Sequence, residues 1–392
     1  MENVKYIDDN PIKGIQYDFA KILKEYKKLK IPSDVWTPQH LPFNNAHTFV
    51  ELSERSIGKT TNILLFGLIM HKLYGTIIHY VRDNALMLEN RNIKELFDVI
   101  KDKQYKYIEK ITDGEFNSVL YKAKRWYYCY INENGEIEKT ASNHFMMCMS
   151  TDKSESYKSI YVCSKGDLII YDEFIHKFYN ERDFFNFYDL HKTISRQRES
   201  VITFFLSNTI DINSPWFEEM EISENITYME IGQKEIFTTS GGTNIFVELI
   251  EPSKIKRKGN LILNKLYYGF KNPLLYSITG IQTWAVKEYQ KVPKNTNLEK
   301  VIVGNLYIEY YGKLVRCRII KTENLGIICY CSKATKIYND SIILTNNFIS
   351  DRQHFYGIKV LPNLKEMYEQ HKFYYSTNSA GAIVENFMKV VI

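Results

Sequence analysis

The chain has 392 residues, of which 44% are hydrophobic and 25% charged, and its net charge is +5. This length is sufficient for two domains with sizeable cores, and the composition excludes disordered and fibrous classes. A small positive charge permits a nucleic-acid partner without requiring one. The longest apolar run, Ile63–Met70, is too short to span a bilayer, so we predict no association with a membrane. The six cysteines include no C-x-x-C pair, so we predict a reducing cytoplasm and no zinc site.

The first predicted unit is a strand over Thr48–Leu52, a loop over Ser53–Lys59, a helix over Thr60–Leu73 and a strand over Thr76–Val81. Strand, helix and strand at this spacing indicate a crossover in a parallel sheet. The loop "SERSIGKT" is similar to a phosphate-binding loop, although Ser53 stands at the position of the expected first glycine. A serine is acceptable there if its φ is negative.

In a phosphate-binding loop, backbone N–H groups surround the phosphates, the lysine contacts the β- and γ-phosphates, and the Ser or Thr hydroxyl ligates Mg²⁺. The residues predicted to bind the nucleotide are Ser53, Glu54, Arg55, Ser56, Ile57, Gly58, Lys59, Thr60 and Thr61. A chance Gly-Lys-Thr in a Lys-rich chain is the alternative, and its position between a strand and a helix favours a working loop.

The second motif is "DLIIYDEF", in which a buried strand over Leu168–Tyr171 is followed by Asp172 and Glu173. In ATPases with an additional catalytic glutamate, the Asp holds Mg²⁺ and the Glu polarises the attacking water. The alternative is a strand end followed by two solvated acids. The phosphate-binding loop earlier in the chain favours the catalytic interpretation.

Two further motifs lie around the next buried strand. In "VITFFLSNT", Asn208 is the polar residue best placed to sense a γ-phosphate or the attacking water. Just before that strand, "ISRQRES" contains Arg196 and Arg198. A ring ATPase needs an arginine that reaches a neighbour's γ-phosphate, because the planar guanidinium fits phosphate oxygens. A pair of solvated arginines at a helix end is the alternative.

The sequence pattern changes after about residue 238, and from Val301 it is typical of β-strands followed by helices. We therefore predict three regions. Residues 1–238 form an ATPase domain, residues 239–294 a linker or lid, and residues 295–392 a smaller α+β domain.

Taken together, the run of motifs "SERSIGKT", "HYVRD", "LIIYDEF", "SRQR" and "LSNTIDINSPWFEEM" resembles the DNA-packaging ATPases of small tailed phages with protein-primed linear genomes. These ATPases are related to the large-terminase motors, and the resemblance covers roughly Trp36 to Glu219. It implies an α/β fold with a P-loop NTPase core of the additional-catalytic-Glu class, a parallel sheet with flanking helices, and ATP and Mg²⁺ as cofactors.

The resemblance also implies an activity and partners. The activity is ATP-driven translocation of double-stranded DNA through the portal into a preformed capsid. The motor would be a homo-oligomeric ring of five subunits in the host cytoplasm, transiently at the procapsid portal. Whether a structural RNA or the portal alone anchors the ring stays open.

The resemblance further implies a role for each matching residue. Lys59 and Thr60 would bind phosphate and Mg²⁺, Asp172 would complete the metal site, and Glu173 would be the catalytic carboxylate. Arg82 would hold Glu173 inactive until DNA is gripped, and Asn208 would be the coupling residue. Arg196 would be the trans-acting arginine, with Arg198 as second choice. Lys153 and Lys158 of the loop "STDKSESYK" would contact DNA.

Large terminases carry an RNase-H-like nuclease as their second domain, and such a nuclease needs clustered carboxylates that hold two metal ions. Here Asn305 or Tyr307 stands where an Asp is expected, and the acids Glu309, Glu323, Asp340 and Asp351 are scattered. We therefore predict a vestigial nuclease fold without nuclease activity. Two alternatives stay open: a complete terminase with an active nuclease, and a non-catalytic DNA- or portal-binding protein with a decayed phosphate-binding loop, which Ser53 would favour.

Overall fold

The computed structural model describes residues 15–53, 57–89, 93–158, 166–175, 181–196, 198, 201–208, 214–226, 229–230, 232–251, 289–293, 296–298, 302–310, 312–337, 342–345 and 360–391. These residues form two compact units. The first contains nearly all described residues up to 208 together with 229–251, and the second contains 214–226 and the described residues from 289 onward. In the part of the chain so described, no helix is both long and apolar enough to cross a membrane.

The first unit is built on a large sheet with helices packed against it. Its strands are β1 Thr48–Leu52, β2 Ile77–Arg82, β3 Ser118–Lys122, β4 Arg125–Ile131, β5 Ile137–Thr140, β6 Met146–Ser150, β7 Asp167–Asp172, β8 Ile202–Ser207, β9 Lys234–Thr238 and β10 Asn244–Leu249. Its helices are α1 Phe19–Lys27, α2 Lys59–Tyr74, α3 Asp98–Lys101, α4 Tyr107–Ile111, α5 Ser154–Tyr157 and α6 Glu181–Ser195, with 3₁₀ turns at Pro38–His40, Ala85–Leu88, Lys94–Phe97 and Thr151–Lys153.

The strand order of the large sheet is β3-β4-β6-β2-β7-β8-β1-β10-β9, and β5 pairs with β4. The strands from β6 to β10 in this order are mutually parallel. Every residue of β7 and β8 is buried, as expected for parallel strands covered on both faces. The predicted strand–helix–strand unit is present as β1, α2 and β2. However, β8 and β7 lie between β1 and β2, so the carboxyl ends of four parallel strands meet at one edge.

Helix α2 connects the end of β1 to the start of β2, and two glycines shape it. Gly58 precedes the helix with φ of +91°, a left-handed conformation that glycine adopts readily. Gly67 lies in the middle of the helix against the sheet. A Cβ atom at Gly67 would lie 2.7 Å from Ile78 Cδ1 and 2.8 Å from Leu168 Cδ2. The close packing of α2 on β2 and β7 therefore depends on this glycine.

The large sheet continues beyond the predicted boundary at residue 238. Strand β10 pairs in parallel with β1 from Thr48↔Ile245 to Leu52↔Leu249, and β9 pairs with β10 antiparallel. The first residues of the predicted linker or lid, up to Leu249, therefore belong to the sheet. Most of the remaining range up to 294 lies outside the described residues.

The second unit contains a five-stranded sheet in the order β14-β11-β12-β13-β15. Strands β11, β12 and β13 are antiparallel, whereas β14 and β15 run parallel to their neighbours. The bounds are β11 Ile302–Tyr310, β12 Lys313–Thr322, β13 Gly326–Lys333, β14 Ile342–Thr345 and β15 Phe373–Tyr375, with helices α7 Pro215–Glu219, α8 Ser223–Ile226, α9 Val360–Glu369 and α10 Asn378–Val391. Buried residues of α10 share one core with those of the sheet, as in an α+β arrangement.

Candidate active site

Lys59 is the first residue of α2, and its ammonium group lies in a buried polar pocket at the carboxyl edge of the sheet. Its Nζ donates to the backbone carbonyl of Ser207 at 2.9 Å and to Asn208 Oδ1 at 3.3 Å. It also donates to Ser53 Oγ. Burial lowers the pKa of Lys59 to about 7, even though the nearby carboxylates of Asp172, Glu51 and Glu173 favour the charged form.

Ser53 follows β1 directly, and its side chain is fully buried. It is not among the residues with positive φ, so a side chain is accommodated at the position where the sequence motif lacks its glycine. Its hydroxyl accepts a hydrogen bond from Lys59. The serine therefore contacts the very ammonium group that a phosphate would contact.

Thr60 and Asp172 bring hydroxyl and carboxylate oxygens together beside Lys59. The Thr60 Oγ1 atom lies 3.4 Å from both carboxylate oxygens of Asp172. This separation is longer than an ordinary O–H···O hydrogen bond. Hydroxyl and carboxylate oxygens are the kind of ligand that Mg²⁺ prefers, and it takes them at about 2.0–2.1 Å in octahedral geometry. The donor set therefore fits the metal that the sequence predicts.

Two side chains of β2 hold Asp172 in place. Tyr80 donates its phenolic hydrogen to Asp172 Oδ2 at 2.7 Å, and Arg82 Nη1 lies 3.4 Å from the same oxygen. Burial raises the pKa of Asp172 above its usual value, while Arg82 and the hydrogen bond from Tyr80 act to lower it. Tyr80 was not predicted from the sequence, because a tyrosine in a buried strand usually indicates core packing.

Glu173 stands immediately after β7 with φ of +55°, a left-handed conformation that is uncommon for a residue with a side chain. Its Oε2 accepts a hydrogen bond from Arg82 Nη2 at 2.5 Å. The side chain of Glu173 is 42% exposed, whereas that of Arg82 is 14% exposed. The carboxylate that follows β7 is therefore partly exposed and paired with a largely buried arginine.

A cavity of about 370 Å³ opens beside the phosphate-binding loop. Its lining includes Gly58, Lys59, Thr60 and Thr61 of the loop and the start of α2. It also includes apolar and aromatic residues, namely Ile31, Val35, Leu65, Tyr105 and Tyr107. The rings of Tyr105 and Tyr107 are stacked, with centroids 5.2 Å apart and an interplanar angle of 3°. A lining that offers polar groups for phosphates and aromatic rings for a base suits a nucleotide.

Known proteins resemble this chain in structure. No protein-family model matches the chain, and no curated protein matches it. The Phi-28 gp11 DNA packaging motor matches with a TM-score of 0.61 at 14% identity, over 92% of this chain and 98% of that one. The bacteriophage Phi-29 viral genome packaging motor assembly matches with a TM-score of 0.56 at 16% identity, over 91% of this chain and 99% of that one.

The chain has the fold of a phage DNA packaging motor. The resemblance indicated by the sequence motifs is therefore confirmed at the level of the fold. It also extends further than the motifs do, because they cover only Trp36 to Glu219 whereas the structural similarity to both packaging motors covers more than nine-tenths of the chain.

The other predicted residues have distinct positions in this packaging-motor fold. Arg196, at the end of α6, is exposed and has φ of +42°. Arg198 is buried: its guanidinium forms an ion pair with Asp167 and donates to the backbone carbonyl of Ser195 at 3.0 Å. Asp167 also contacts His79 Nε2 at 2.7 Å. In this structure the Arg198 side chain is therefore part of the interior.

The two lysines predicted to contact DNA are both exposed, near the start and end of α5. Lys158 forms ion pairs with Glu155 at 2.7 Å and Asp189 at 3.2 Å. Three predicted nucleotide-binding residues, Glu54, Arg55 and Ser56, lie outside the described residues.

Proposed function

We propose that the protein is an ATP-driven motor that moves double-stranded DNA. The observation that carries this proposal is the meeting of Lys59, Thr60, Asp172, Glu173 and Arg82 at one edge of a parallel sheet. The cavity beside them offers space for a nucleoside. The fold shared with two phage packaging motors supports the assignment to genome packaging.

In the proposed mechanism, the backbone of the loop before α2 and the Lys59 ammonium hold the ATP phosphates. Thr60 and Asp172 would hold Mg²⁺, which when bound neutralises phosphate charge. Tyr80 keeps the Asp172 carboxylate oriented. Glu173 acts as the general base that orients the attacking water, as an enzyme with an additional catalytic glutamate requires.

Arg82 provides the control in this proposal. While it binds Glu173, that carboxylate cannot orient water, so hydrolysis is off. Release of Glu173 from Arg82 would turn hydrolysis on, and we assign the trigger to DNA contact near Lys153 and Lys158. The sheet connects this DNA contact to Arg82. Strand β6 ends at Ser150, directly before the turn Thr151–Lys153, and β6 is hydrogen-bonded to β2, which carries Arg82.

We further propose that the motor works as a ring of five subunits at the portal of a capsid in the host cytoplasm. Arg196 of one subunit would stabilise the charge on the γ-phosphate bound by its neighbour. Asn208, which accepts from Lys59 at 3.3 Å, would report the state of the phosphate to β8. A structural RNA as an additional anchor remains an open part of this proposal.

For the second unit, we propose a vestigial nuclease that contributes to docking and DNA contact. Asn305 and Tyr307 lie on β11, and the Asn305 side chain accepts a hydrogen bond from Arg316 Nε at 2.8 Å. An amide occupied in this way is a poor substitute for a metal-binding carboxylate. Incubation of the full chain with supercoiled DNA and Mg²⁺ or Mn²⁺ tests this part, and metal-dependent nicking would instead support a complete terminase.

The decisive experiment measures ATP binding and ATP turnover of the full chain with and without double-stranded DNA and empty capsids. We expect Glu173→Gln to bind ATP as tightly as the wild type and to lose turnover, because the amide cannot accept a proton from water. Lys59→Ala should lose binding as well. Full turnover by Glu173→Gln would contradict the assignment, and absence of DNA-stimulated turnover in the wild type would favour a non-catalytic binding protein.

A further inference from the structure

The sheet of the second unit brings three cysteine side chains together, although their spacing in the sequence matches no metal-binding pattern. Cys317 on β12 and Cys331 on β13 are direct partners in the antiparallel register. Cys329 precedes Cys331 by two residues on the same strand. Because side chains alternate between the faces of a strand, all three thiols point to one face of the sheet.

The three sulfur atoms are close enough to act on one ion. The Sγ atoms of Cys317 and Cys331 are 3.3 Å apart, and those of Cys329 and Cys331 are 3.8 Å apart. All three lie within 4.8 Å of one another. Zinc holds thiolate sulfurs at about 2.3 Å, which places two tetrahedral sulfur ligands about 3.8 Å from each other. The thiols therefore stand close to ligand spacing without any movement of the strands.

The three thiols are buried among apolar and aromatic side chains. All three cysteines are fully buried. Their core contains apolar side chains such as Ile308, Phe373 and Phe387. Tyr375 of β15 is the register partner of Cys331 and so stands on the same face. A site of this kind keeps water from competing with sulfur for the ion.

We propose that Cys317, Cys329 and Cys331 form a structural binding site for a thiophilic metal ion, with zinc as the occupant. Sulfur ligands select zinc and similar soft or borderline ions over Mg²⁺ and Ca²⁺. Zinc binds cysteine as the thiolate, so the divalent ion offsets most of the charge of the three buried sulfurs. Binding would release the three thiol protons and would tie β12 to β13 in the middle of the sheet.

The site is separate from the nucleotide site and does not depend on the proposed ATPase activity. The same three thiols could instead be ordinary buried side chains, since free cysteine behaves as a small hydrophobic residue in protein cores. The two interpretations differ in one measurable property, which is the metal content of the folded chain.

The test begins with the full-length chain expressed in zinc-supplemented medium and purified without chelator, followed by elemental analysis. We expect zinc in stoichiometric amount in the wild type and its loss in Cys317→Ser and Cys329→Ser. The matched controls are Cys129→Ser and Cys148→Ser, since both residues are buried cysteines of the first unit. Zinc that is missing from the wild type, or retained unchanged in the Cys317→Ser variant, would overturn the proposal.

A second measurement covers the case in which the serine variants fail to fold. Metal-free wild-type protein is titrated with Cd²⁺, and the ultraviolet sulfur-to-cadmium charge-transfer band is recorded together with the melting temperature. We expect the band to appear at one equivalent of Cd²⁺ and the melting temperature to rise. Cadmium bound through histidine or carboxylate groups alone would produce no such band, and that result would also overturn the proposal.

Discussion

Arg82 joins the two acids at the end of β7: its guanidinium donates to Glu173 Oε2 at 2.5 Å and reaches Asp172 Oδ2 at 3.4 Å. One side chain therefore holds both the candidate base and the candidate metal ligand. Because Tyr80 also donates to Asp172, that acid keeps a partner when Arg82 moves. In the proposed control, Arg82 restrains Glu173.

This relationship predicts the effect of Arg82→Ala. We expect DNA-independent ATP turnover to rise several-fold and further stimulation by DNA to become small, because Glu173 is then no longer held away from water. Steady-state turnover with and without DNA measures both quantities. Tyr80→Phe is the matched control: it removes the hydroxyl that contacts Asp172 and Arg82 Nη1 and keeps both partners of the Arg82–Glu173 pair. An equal fall of basal and stimulated turnover in Arg82→Ala would contradict the control role.

Replacement of Ser53 by glycine is predicted to raise the affinity for ATP. The Ser53 hydroxyl accepts from the Lys59 ammonium, so ATP must compete with the protein for that group. Hydrogen bonds to charged groups contribute about 1.5–3 kcal/mol, and partial relief of this contact is expected to lower the Kd for ATP about fivefold in Ser53→Gly. Binding is measured with a fluorescent ATP analogue. Ser53→Ala separates the two possible causes, since it removes the hydroxyl without adding backbone freedom. An unchanged Kd in both variants would refute the idea.

The lowered pKa of Lys59 predicts that the protein takes up a proton when the nucleotide binds. This pKa is lowered to about 7 by burial, and a bound phosphate would raise it again. At pH 8 we therefore expect ATP binding to be accompanied by proton uptake, detected by calorimetry in buffers of different ionisation enthalpy. Lys59→Arg is the control, because arginine stays protonated throughout this pH range. Equal proton uptake by the arginine variant would exclude Lys59 as the source.

The same shift has a consequence for the stability of the nucleotide-free chain. Since the folded pKa of Lys59 lies below its unfolded value of 10.5, the unfolded chain binds more protons between about pH 7 and that value. The contribution of Lys59 to the free energy of unfolding should therefore rise with pH across this window. Below about pH 7 the full cost of burying the ammonium remains. Denaturant titrations of wild type and Lys59→Met at several pH values measure the difference.

The tyrosines that line the cavity predict recognition of the base. Stacking of a base on an aromatic side chain is worth about 1–3 kcal/mol, so Tyr105→Ala is expected to weaken ATP binding by roughly 5- to 150-fold. Binding of inorganic tripolyphosphate should not change, because it carries no base. Tyr130→Ala, which alters an exposed tyrosine of β4, is the matched control. Equal losses for ATP and tripolyphosphate would indicate a structural role for Tyr105 instead.

Arg196 and Arg198 are separated by two positions, and their replacement is expected to affect different properties. Arg198→Ala should reduce stability, whereas Arg196→Ala should reduce turnover. Arg198→Ala removes the guanidinium that forms an ion pair with the buried Asp167 and is expected to reduce the free energy of unfolding by about 3–5 kcal/mol. Arg196→Ala alters an exposed side chain, so its effect on unfolding should stay within about 0.5 kcal/mol. Turnover of the assembled motor on capsids should nevertheless fall in Arg196→Ala. Normal turnover of that variant in the assembly would remove it as the trans-acting residue.

Short patterns in the sequence predicted the main parts of the site. The strands before Ser53 and Asp172 and the helix after Gly58 form where hydrophobic runs and turn residues indicated them. Because parallel strands end at a common edge, polar residues that follow them lie near one another, and Lys59, Thr60 and Asp172 do so.

Other features depend on strand order and register, which hydrophobic patterns do not encode. The position of β8 between β1 and β7 is one example. The contact of Tyr80 with Asp172 is a second, since it requires β2 beside β7. The lining of the cavity is a third example, because it includes residues from before β1 together with Tyr107 of α4. The grouping of Cys317 with Cys329 and Cys331 likewise follows only from the pairing of β12 with β13.

The absence of a side chain at Gly67 has a mechanical consequence. At that point α2 lies directly against Ile78 of β2 and Leu168 of β7, the two strands that end in Arg82 and in Asp172. Sliding of the helix that begins with Lys59 over these strands would bring its backbone into collision with packed side chains. For the proposed motor we therefore expect α2, β2 and β7 to move as one block, with the displacement arising in the turns at the carboxyl ends of the strands.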